Sequence, residues 1–288
     1  MLMRTLANGL KIPAVGYGTF PLKDELVRSV PLALGSGFRL IDTSDNYLNE
    51  EFVGQGLAAS GDLTAETLLV TKFSTPRKTK DISRRFDASR RRLGGRIDVY
   101  LLHWPYPFLW RWQWRQMEDL YIAGRCKAIG VCNFDKAMLL RLLKSCRVKP
   151  MIDQFERHPL FQQRETADFC RAEGIQVMSY SPFARMDARL MENPVLLEIA
   201  AAYGKTVGQV ILRWNVEHGD IPIPASKSEC HIRENFGIFD FALSEEEVSR
   251  IDALDAGVRV RFDPHRRFTC FQKLKFLCIR MKEAIGHA

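Results

Sequence analysis

Four polar side chains of different chemistry follow apolar runs of the sequence. Asp42 ends the run FRLID, Tyr47 follows five residues later, Lys72 closes LLVTKF, and His103 closes VYLLHWP. Taken singly, each is ordinary: an Asp can cap a strand end, a Lys can be solvated there, and a Tyr or His can pack at the edge of a core. Occurring after successive apolar runs, they offer a carboxylate, a phenol, an ammonium and an imidazole to one site.

Such a set suits the reduction of a carbonyl group. A carbonyl that accepts a hydride develops negative charge on its oxygen, which then needs a proton donor and hydrogen bonds. A free phenol has a pKa of about 10, so Tyr47 needs a nearby cation, and Lys72 can supply one because an opposite charge lowers the pKa of an acid. Asp42 would keep Lys72 protonated, and His103 as neutral imidazole would orient the carbonyl.

These residues can meet only if the fold brings the ends of several strands together. Short apolar runs predict eight strands, at 15–19, 38–42, 68–73, 99–103, 128–131, 151–155, 176–180 and 221–223. Apolar residues spaced by three and four predict the helices, at 24–35, 50–59, 82–93, 113–123, 136–145, 165–173 and 207–218, with a short one at 230–236.

The alternation of strands and helices predicts βαβ units and a parallel sheet. Eight units predict an α/β fold of the closed (β/α)₈ type, a TIM barrel, in which the C-terminal ends of the strands share one rim. An open doubly wound sheet is the alternative. Asn8-Gly9 lies between short strand-like runs and predicts an N-terminal β-hairpin, which would plug the opposite end of the barrel.

Composition is that of a globular protein, with 46% hydrophobic and 26% charged residues among 288. We expect one domain over 1–288, with a barrel core at about 14–254 and a helical or loop extension at 255–288. The seven cysteines include no C-x-x-C pair, so we expect no disulfide framework and no metal site. Free thiols, together with the lack of a signal peptide or a long apolar segment, predict a cytoplasmic location.

The net charge of +8 is concentrated near the C-terminus. Residues 258–288 contain eight Lys or Arg and two Asp or Glu, which predicts a solvated basic segment. The stretch LKFLCIRMK leaves an anionic partner or a membrane surface as the alternative. The Arg-rich stretch 83–93 has its charges on one helix face, so we expect no nucleic-acid partner.

The sequence resembles the aldo-keto reductase superfamily from Gly16 to about Leu254. Eight segments follow in the family's order: GYGTF, GFRLIDTSDNYLNEEFVGQGL, VTK, LLHWP, MEDLYIAGRCKAIGVCNF, KPMIDQFERHPLFQQ, VMSYSP and HIRENFGIFDFALS. The resemblance implies that Tyr47 is the general acid in reduction and the base in oxidation. It implies that Lys72 and Asp42 tune this phenol and that His103 orients the substrate carbonyl.

The resemblance also implies a nicotinamide cofactor held by barrel loops, in keeping with the absence of a G-x-G-x-x-G fingerprint. Positions 132, 133 and 154 would hold the carboxamide, Tyr180 would stack on the nicotinamide, and the loop from Ser181 would line the pyrophosphate. The expected cofactor-binding residues are Thr19, Asp42, Cys132, Asn133, Gln154, Tyr180, Ser181, Ser226, Lys227, His231, Glu234 and Asn235.

The sequence departs from the family's pattern at two kinds of position. Cys132 stands where Ser is usual, and Asp153 where Asn is common. Members that use NADPH typically carry Lys, Ser and Arg for the 2′-phosphate, where this chain has Ala225, Ser226 and His231. Because Lys227 is a nearby substitute, we expect NADPH, with NADH or dual use as the alternative.

The expected substrate is a small-molecule carbonyl compound bound by a monomer, such as a small aldehyde, a ketose or a diketo acid. Its pocket is expected to be aromatic, with contacts from Phe20, Tyr47, His103, Trp104, Phe108 and Trp110. A carboxylate or phosphate on the substrate would suit the tail arginines Arg259, Arg261, Arg266 and Arg267. The alternative to an enzyme is a protein on the same fold that senses redox state through its bound cofactor.

Overall fold

A computed structural model describes residues 2–74, 82–266, 272–274 and 277–278. It contains an antiparallel hairpin of β1 and β2 and an eight-stranded parallel sheet of β3 to β10. The strands are Met3–Thr5, Lys11–Pro13, Tyr17–Gly18, Leu40–Asp42, Leu68–Phe73, Val99–Leu102, Ala128–Cys132, Ile152–Glu156, Gln176–Tyr180 and Ile221–Pro222. The helices α1 to α11 are Leu26–Gly35, Glu50–Ala59, Ile82–Arg92, Trp110–Ile122, Lys136–Leu143, Arg164–Ala172, Ala188–Met191, Pro194–Tyr203, Val207–Glu217, Glu229–Phe236 and Glu245–Asp252.

The eight parallel strands lie side by side in chain order, and the first and last are also linked. The Gly16 amide donates to the Pro222 carbonyl at 3.0 Å, and the Gly18 amide donates to the Pro224 carbonyl at 2.8 Å. A Cβ on Gly18 would lie only 2.7 Å from the Ile223 carbonyl oxygen, so this approach requires glycine. The predicted (β/α)₈ barrel is confirmed, and the open doubly wound alternative is wrong.

Two apolar clusters lie on opposite faces of the strands. Leu40, Val70 and Val99 belong to the inner cluster, whereas Ile41 and Leu69 pack with the surrounding helices. Because successive side chains of a strand point to opposite faces, polar residues at even spacing after the inner positions also point inward. These residues are Asp42, Lys72, His103 and Gln154.

The N-terminal hairpin closes one end of the barrel, as predicted. Gly9 takes a φ of 85° in its turn, and the buried Leu6 and Ile12 join the inner cluster. The Asn8 side-chain amide donates to the carbonyl of Lys127 at 2.8 Å, and Lys127 directly precedes β7. The hairpin therefore lies at the N-terminal ends of the strands and leaves the opposite rim open.

Three helices were not predicted, namely α7, α8 and α11. Their capping signals are present in the sequence: Asn193 accepts from the Val195 amide before α8, and Ser244 forms a capping box with Glu247 at α11. The segment PVLLEIAAAY of α8 is apolar around most of its circumference, so its helical period is weak. These helices pack against α9 in a separate apolar cluster.

The described part of the C-terminal extension returns to the open rim. The amides of Ala256 and Val258 donate to the carbonyl of Leu160. Most of the segment LKFLCIRMK, with its predicted membrane-surface role, lies outside the described residues. Among the described helices, none alone has the length and apolar character of a membrane span, although α8 and α9 together would pass on composition despite a bend of 91°.

Candidate active site

A cleft of about 460 Å³ opens at the C-terminal rim of the barrel. Loops after six of the strands and the described C-terminal extension supply its walls. The sequence-predicted residues that line this rim cleft are Thr19, Phe20, Asp42, Tyr47, His103, Trp104, Asn133, Tyr180 and Ser181. Three of the four residues expected to do the chemistry, Asp42, Tyr47 and His103, therefore meet in one concave site. The buried Lys72 contacts two of them.

Lys72 forms the buried centre of the site. Its ammonium donates to Asp42 Oδ1 at 2.6 Å, to the carbonyl of Thr43 at 2.7 Å and to the Tyr47 hydroxyl at 3.5 Å. The Gln154 amide donates to the other oxygen of Asp42 at 2.8 Å. Both members of the Lys72–Asp42 ion pair are buried, with 0% and 2% of their side chains exposed.

The charges of this group act on the acidity of Tyr47. Burial raises the pKa of Tyr47, and the Lys72 ammonium opposes that shift. Burial alone would lower the pKa of Lys72, but the adjacent Asp42 and Tyr47 leave it raised overall. At neutral pH the pair therefore holds a protonated phenol beside a permanent cation, which is the state that a proton donor needs.

Asn49 connects the two loops beside Tyr47, and sequence reasoning missed it. Its buried side-chain amide donates to the carbonyls of Leu22 and Thr19 at 2.9 and 3.1 Å. Its oxygen accepts from the Thr43 hydroxyl at 2.7 Å. The Asn side chain thus ties together the two loops that flank the phenol. The only sequence signal was an Asn directly before the predicted helix that became α2. An Asn at that position is equally typical of a helix cap.

His103 stands across the rim cleft from the phenol, with ring centroids 5.7 Å apart. Its Nδ1 is 3.0 Å from the Ser44 hydroxyl and 2.5 Å from the Ser74 hydroxyl, which are themselves 2.8 Å apart. When a serine donates to Nδ1, the ring proton resides on Nε2. That tautomer can donate a hydrogen bond to a substrate oxygen. Neither serine was among the sequence-predicted residues.

The predicted carboxamide residues are divided between the rim cleft and the barrel interior. Asn133 lines the cleft in a left-handed conformation (φ 63°) and binds the His103 carbonyl and the Tyr180 hydroxyl at 3.0 and 2.7 Å. Cys132 is fully buried in the inner cluster, and burial raises the pKa of its thiol well above the ordinary value. With Gln154 bonded to Asp42, Asn133 is the member of the set that presents an amide to the cleft.

Asp153, the other departure on β8, faces away from the chemistry. Its side chain is fully buried, and neither carboxylate oxygen has a hydrogen-bond partner among the described residues. Burial raises the pKa of Asp153 well above its ordinary value.

The residues expected near the adenosine end lie on the loop after β10 and on α10. Lys227 is exposed and forms an ion pair with Glu25 at 3.0 Å, while the Ser226 hydroxyl accepts from the Ser228 amide. His231 is exposed, Asn235 is buried, and the Cys230 thiol donates to Glu234 at 3.3 Å. Lys227 is therefore the cation at this end, but a carboxylate already accompanies it.

Only part of the predicted aromatic wall faces the rim cleft. Phe20 lies 5.0 Å from the Tyr47 ring, and Trp104 stacks on His103 at 5.6 Å. Phe108 is 53% exposed, and Trp110 packs against Phe134 at 5.5 Å. The described lining includes neither Phe108 nor Trp110. The Trp110 ring turns toward the core because α4 begins at this residue.

Comparisons with known proteins agree with this geometry. A family model described as the Aldo/keto reductase family matches residues 9–256. A glyoxal reductase of Bacillus subtilis is 41% identical over 263 residues, and a methylglyoxal reductase of Escherichia coli is 35% identical over 262. Each alignment covers 90% of this chain and 95% of the relative. The crystal structure of a Bombyx mori aldo-keto reductase in complex with NADP is similar, with a TM-score of 0.86, 32% identity and coverage of 91% of this chain and 95% of that one.

Proposed function

Because this chain belongs to the aldo/keto reductase family, we propose that it reduces an aldehyde or ketone to an alcohol with NADPH, using Tyr47 as the proton donor. The observation that carries the proposal is the buried Lys72–Asp42 pair, whose ammonium lies 3.5 Å from the Tyr47 hydroxyl in the rim cleft. Relatives described as glyoxal and methylglyoxal reductases favour small dicarbonyl compounds among its substrates.

The described residues suit a nicotinamide nucleotide. Tyr180 and Asn133 place a ring and an amide side by side in the rim cleft. Arg185, on the same loop as Ser181, adds a guanidinium to the lining, which suits a pyrophosphate. When bound, the reduced nicotinamide supplies the hydride. Tyr180 would support its ring, and Asn133, the member of the predicted carboxamide set that lines the cleft, would bind its carboxamide.

Two side chains of this protein act on the carbonyl oxygen. The Tyr47 hydroxyl gives its proton to the oxygen as negative charge develops there, and Lys72 stabilises the phenolate that remains. His103 Nε2 donates a hydrogen bond that fixes the direction of the carbonyl, while Ser44 and Ser74 hold the opposite edge of the imidazole. In the oxidative direction the same phenolate accepts the proton.

NADPH is proposed over NADH because of Lys227. Ala225 and His231 supply no permanent charge, and Lys227 is the cation next to them on the loop. The Glu25 carboxylate shares this cation and weakens its hold on a 2′-phosphate. Cofactor contacts from Thr19 and Ser226 and adenine contacts from Glu234 and Asn235 remain part of the proposal, as do a cytoplasmic location and action as a monomer.

The test is a panel of aldehydes, ketoses and dicarbonyl compounds assayed by oxidation of NADPH and, separately, NADH. We expect turnover of several substrates with a higher kcat/KM for NADPH. A protein that binds NADPH but turns over none of the panel would support the redox-sensing alternative. A clear preference for NADH would reverse the cofactor assignment.

A further inference from the structure

The rim cleft contains more positive charge than the reduction of a neutral carbonyl requires. Arg185 and Arg261 both line it, and neither guanidinium forms an ion pair with any residue that the structure describes. Asp42 is the acidic residue in the described lining, and Lys72 and Gln154 already occupy its oxygens. Arg185 stands with Ser181 on the proposed pyrophosphate side, which leaves Arg261 for another anion.

The backbone at Arg261 is held in place by a buried carboxylate. The amides of Val260 and Arg261 donate to the two oxygens of Glu156 at 2.6 and 3.0 Å. Glu156 is fully buried at the end of β8, and His158 lies 3.2 Å from it. This anchor fixes the C-terminal extension across the rim, so the position of the Arg261 side chain is built into the fold.

The guanidinium of Arg261 and the phenol of Tyr47 both pack against the ring of Phe20. Its Cζ is 4.9 Å from the centroid of Phe20, and the Phe20 ring is 5.0 Å from the Tyr47 ring. A guanidinium stacked on a ring keeps its N–H edges available for a planar anion. An anionic group bound there would lie in the same cleft as the carbonyl at Tyr47.

Among the described residues, the other arginines of the extension do not lie in this position. Arg259 stacks on Phe161 at 4.4 Å and is absent from the described lining of the rim cleft. The side chain of Arg266 is 91% exposed and lies near Asp263. Arg267 lies outside the described residues. Of the four candidates that the sequence offered, the structure therefore selects Arg261.

We propose that Arg261 binds a carboxylate of the substrate and makes the protein selective for carbonyl compounds that carry an anionic group. This inference rests on the proposed carbonyl reduction at Tyr47. A bidentate guanidinium–carboxylate contact inside a partly desolvated cleft strengthens binding beyond what the aromatic wall gives.

The test compares 4-formylbenzoate with its methyl ester in the full-length protein with NADPH. In the wild type we expect a higher kcat/KM for the acid. Arg261→Met should lower kcat/KM for the acid by about 10- to 100-fold, as for loss of a hydrogen bond to a charged group, and leave the ester within about threefold. Arg259→Met removes one charge from the same segment and should change neither substrate.

Several results would overturn the inference. Equal losses for acid and ester in Arg261→Met would mean that the side chain only shapes the rim. A weaker Kd for NADPH in that variant, with the acid preference retained, would place Arg261 on the cofactor. An equal effect of Arg259→Met would indicate that the positive charge of the whole extension attracts the acid, without a specific contact from Arg261. Failure of the wild type to reduce either compound or any of the wider panel would instead remove the proposed function, and this inference with it.

Discussion

Replacing Lys72 by Met should separate the structural role of the buried ion pair from its catalytic role. The substitution removes an ammonium that is 0% exposed and leaves Asp42, itself 2% exposed, with Gln154 as its remaining side-chain donor. Removing one partner of a buried pair typically costs about 3–5 kcal/mol, because the remaining charge is uncompensated. We expect Lys72→Met to lose stability of that order in denaturant unfolding.

The double variant Lys72→Met with Asp42→Asn should recover most of this stability, because a neutral amide replaces the isolated carboxylate. Activity should not recover. Lys72 lowers the pKa of Tyr47 against the effect of burial and stabilises the phenolate, so both variants should lose about 100-fold or more in kcat. Unfolding curves and NADPH oxidation, measured on the same samples, give the two quantities.

The two measurements can contradict the reasoning independently. A double variant that regains kcat together with stability would show that Lys72 serves only to neutralise Asp42. A single variant as stable as the wild type would show that Asp42 finds another way to neutralise its charge, such as protonation. Either result would require a different origin for the acidity of Tyr47.

Other predictions concern the surroundings of the proton donor and the cofactor. Ser74→Ala should lower kcat about tenfold with a smaller change in KM, since it removes a hydroxyl that holds Nδ1 of His103; ¹⁵N shifts of the imidazole would report the change, and an unaltered spectrum would refute it. Lys227→Ala should raise KM for NADPH and leave that for NADH unchanged; parallel changes would contradict its contact with the 2′-phosphate. Burial raises the pKa of Asp45 to about 6, so its native form binds a proton more tightly than the unfolded chain and its contribution to stability grows as pH falls from about 6 towards 4. As the pH falls from about 6 towards 4, the free energy of unfolding of the wild type should rise relative to that of Asp45→Asn. A difference that does not change with pH would disprove the raised pKa.

Much of the active site could be predicted because three of its residues stand at the ends of predicted strands. Asp42, Lys72 and His103 end predicted strands, and a barrel brings the C-terminal ends of its strands to one rim. The loop residue Tyr47 has no such position. Its role was expected from the family resemblance, and the bonds of Asn49 to Leu22 and Thr19 connect its loop to the neighbouring one.

The sequence alone could not predict which side chains of distant segments come into contact. Ser44 and Ser74 meet His103 only because β4, β5 and β6 are neighbours in the closed sheet. Arg261 and Arg259 differ only in where the fold places them, since Arg261 lines the rim cleft on Phe20 and Arg259 stacks on Phe161. The aromatic wall was overpredicted at Trp110 because the start of α4 lies earlier than the periodicity indicated.

The most direct test of proton donation by Tyr47 is the single-turnover rate of Tyr47→Phe with bound NADPH and a saturating aldehyde. The substitution keeps the ring that packs on Phe20 and removes only the hydroxyl. We predict a loss of about 100- to 10,000-fold in the reduction rate, with an unchanged Kd for NADPH and an unchanged unfolding midpoint. A folded, cofactor-binding variant that reduces the aldehyde within about threefold of the wild-type rate would contradict the mechanism.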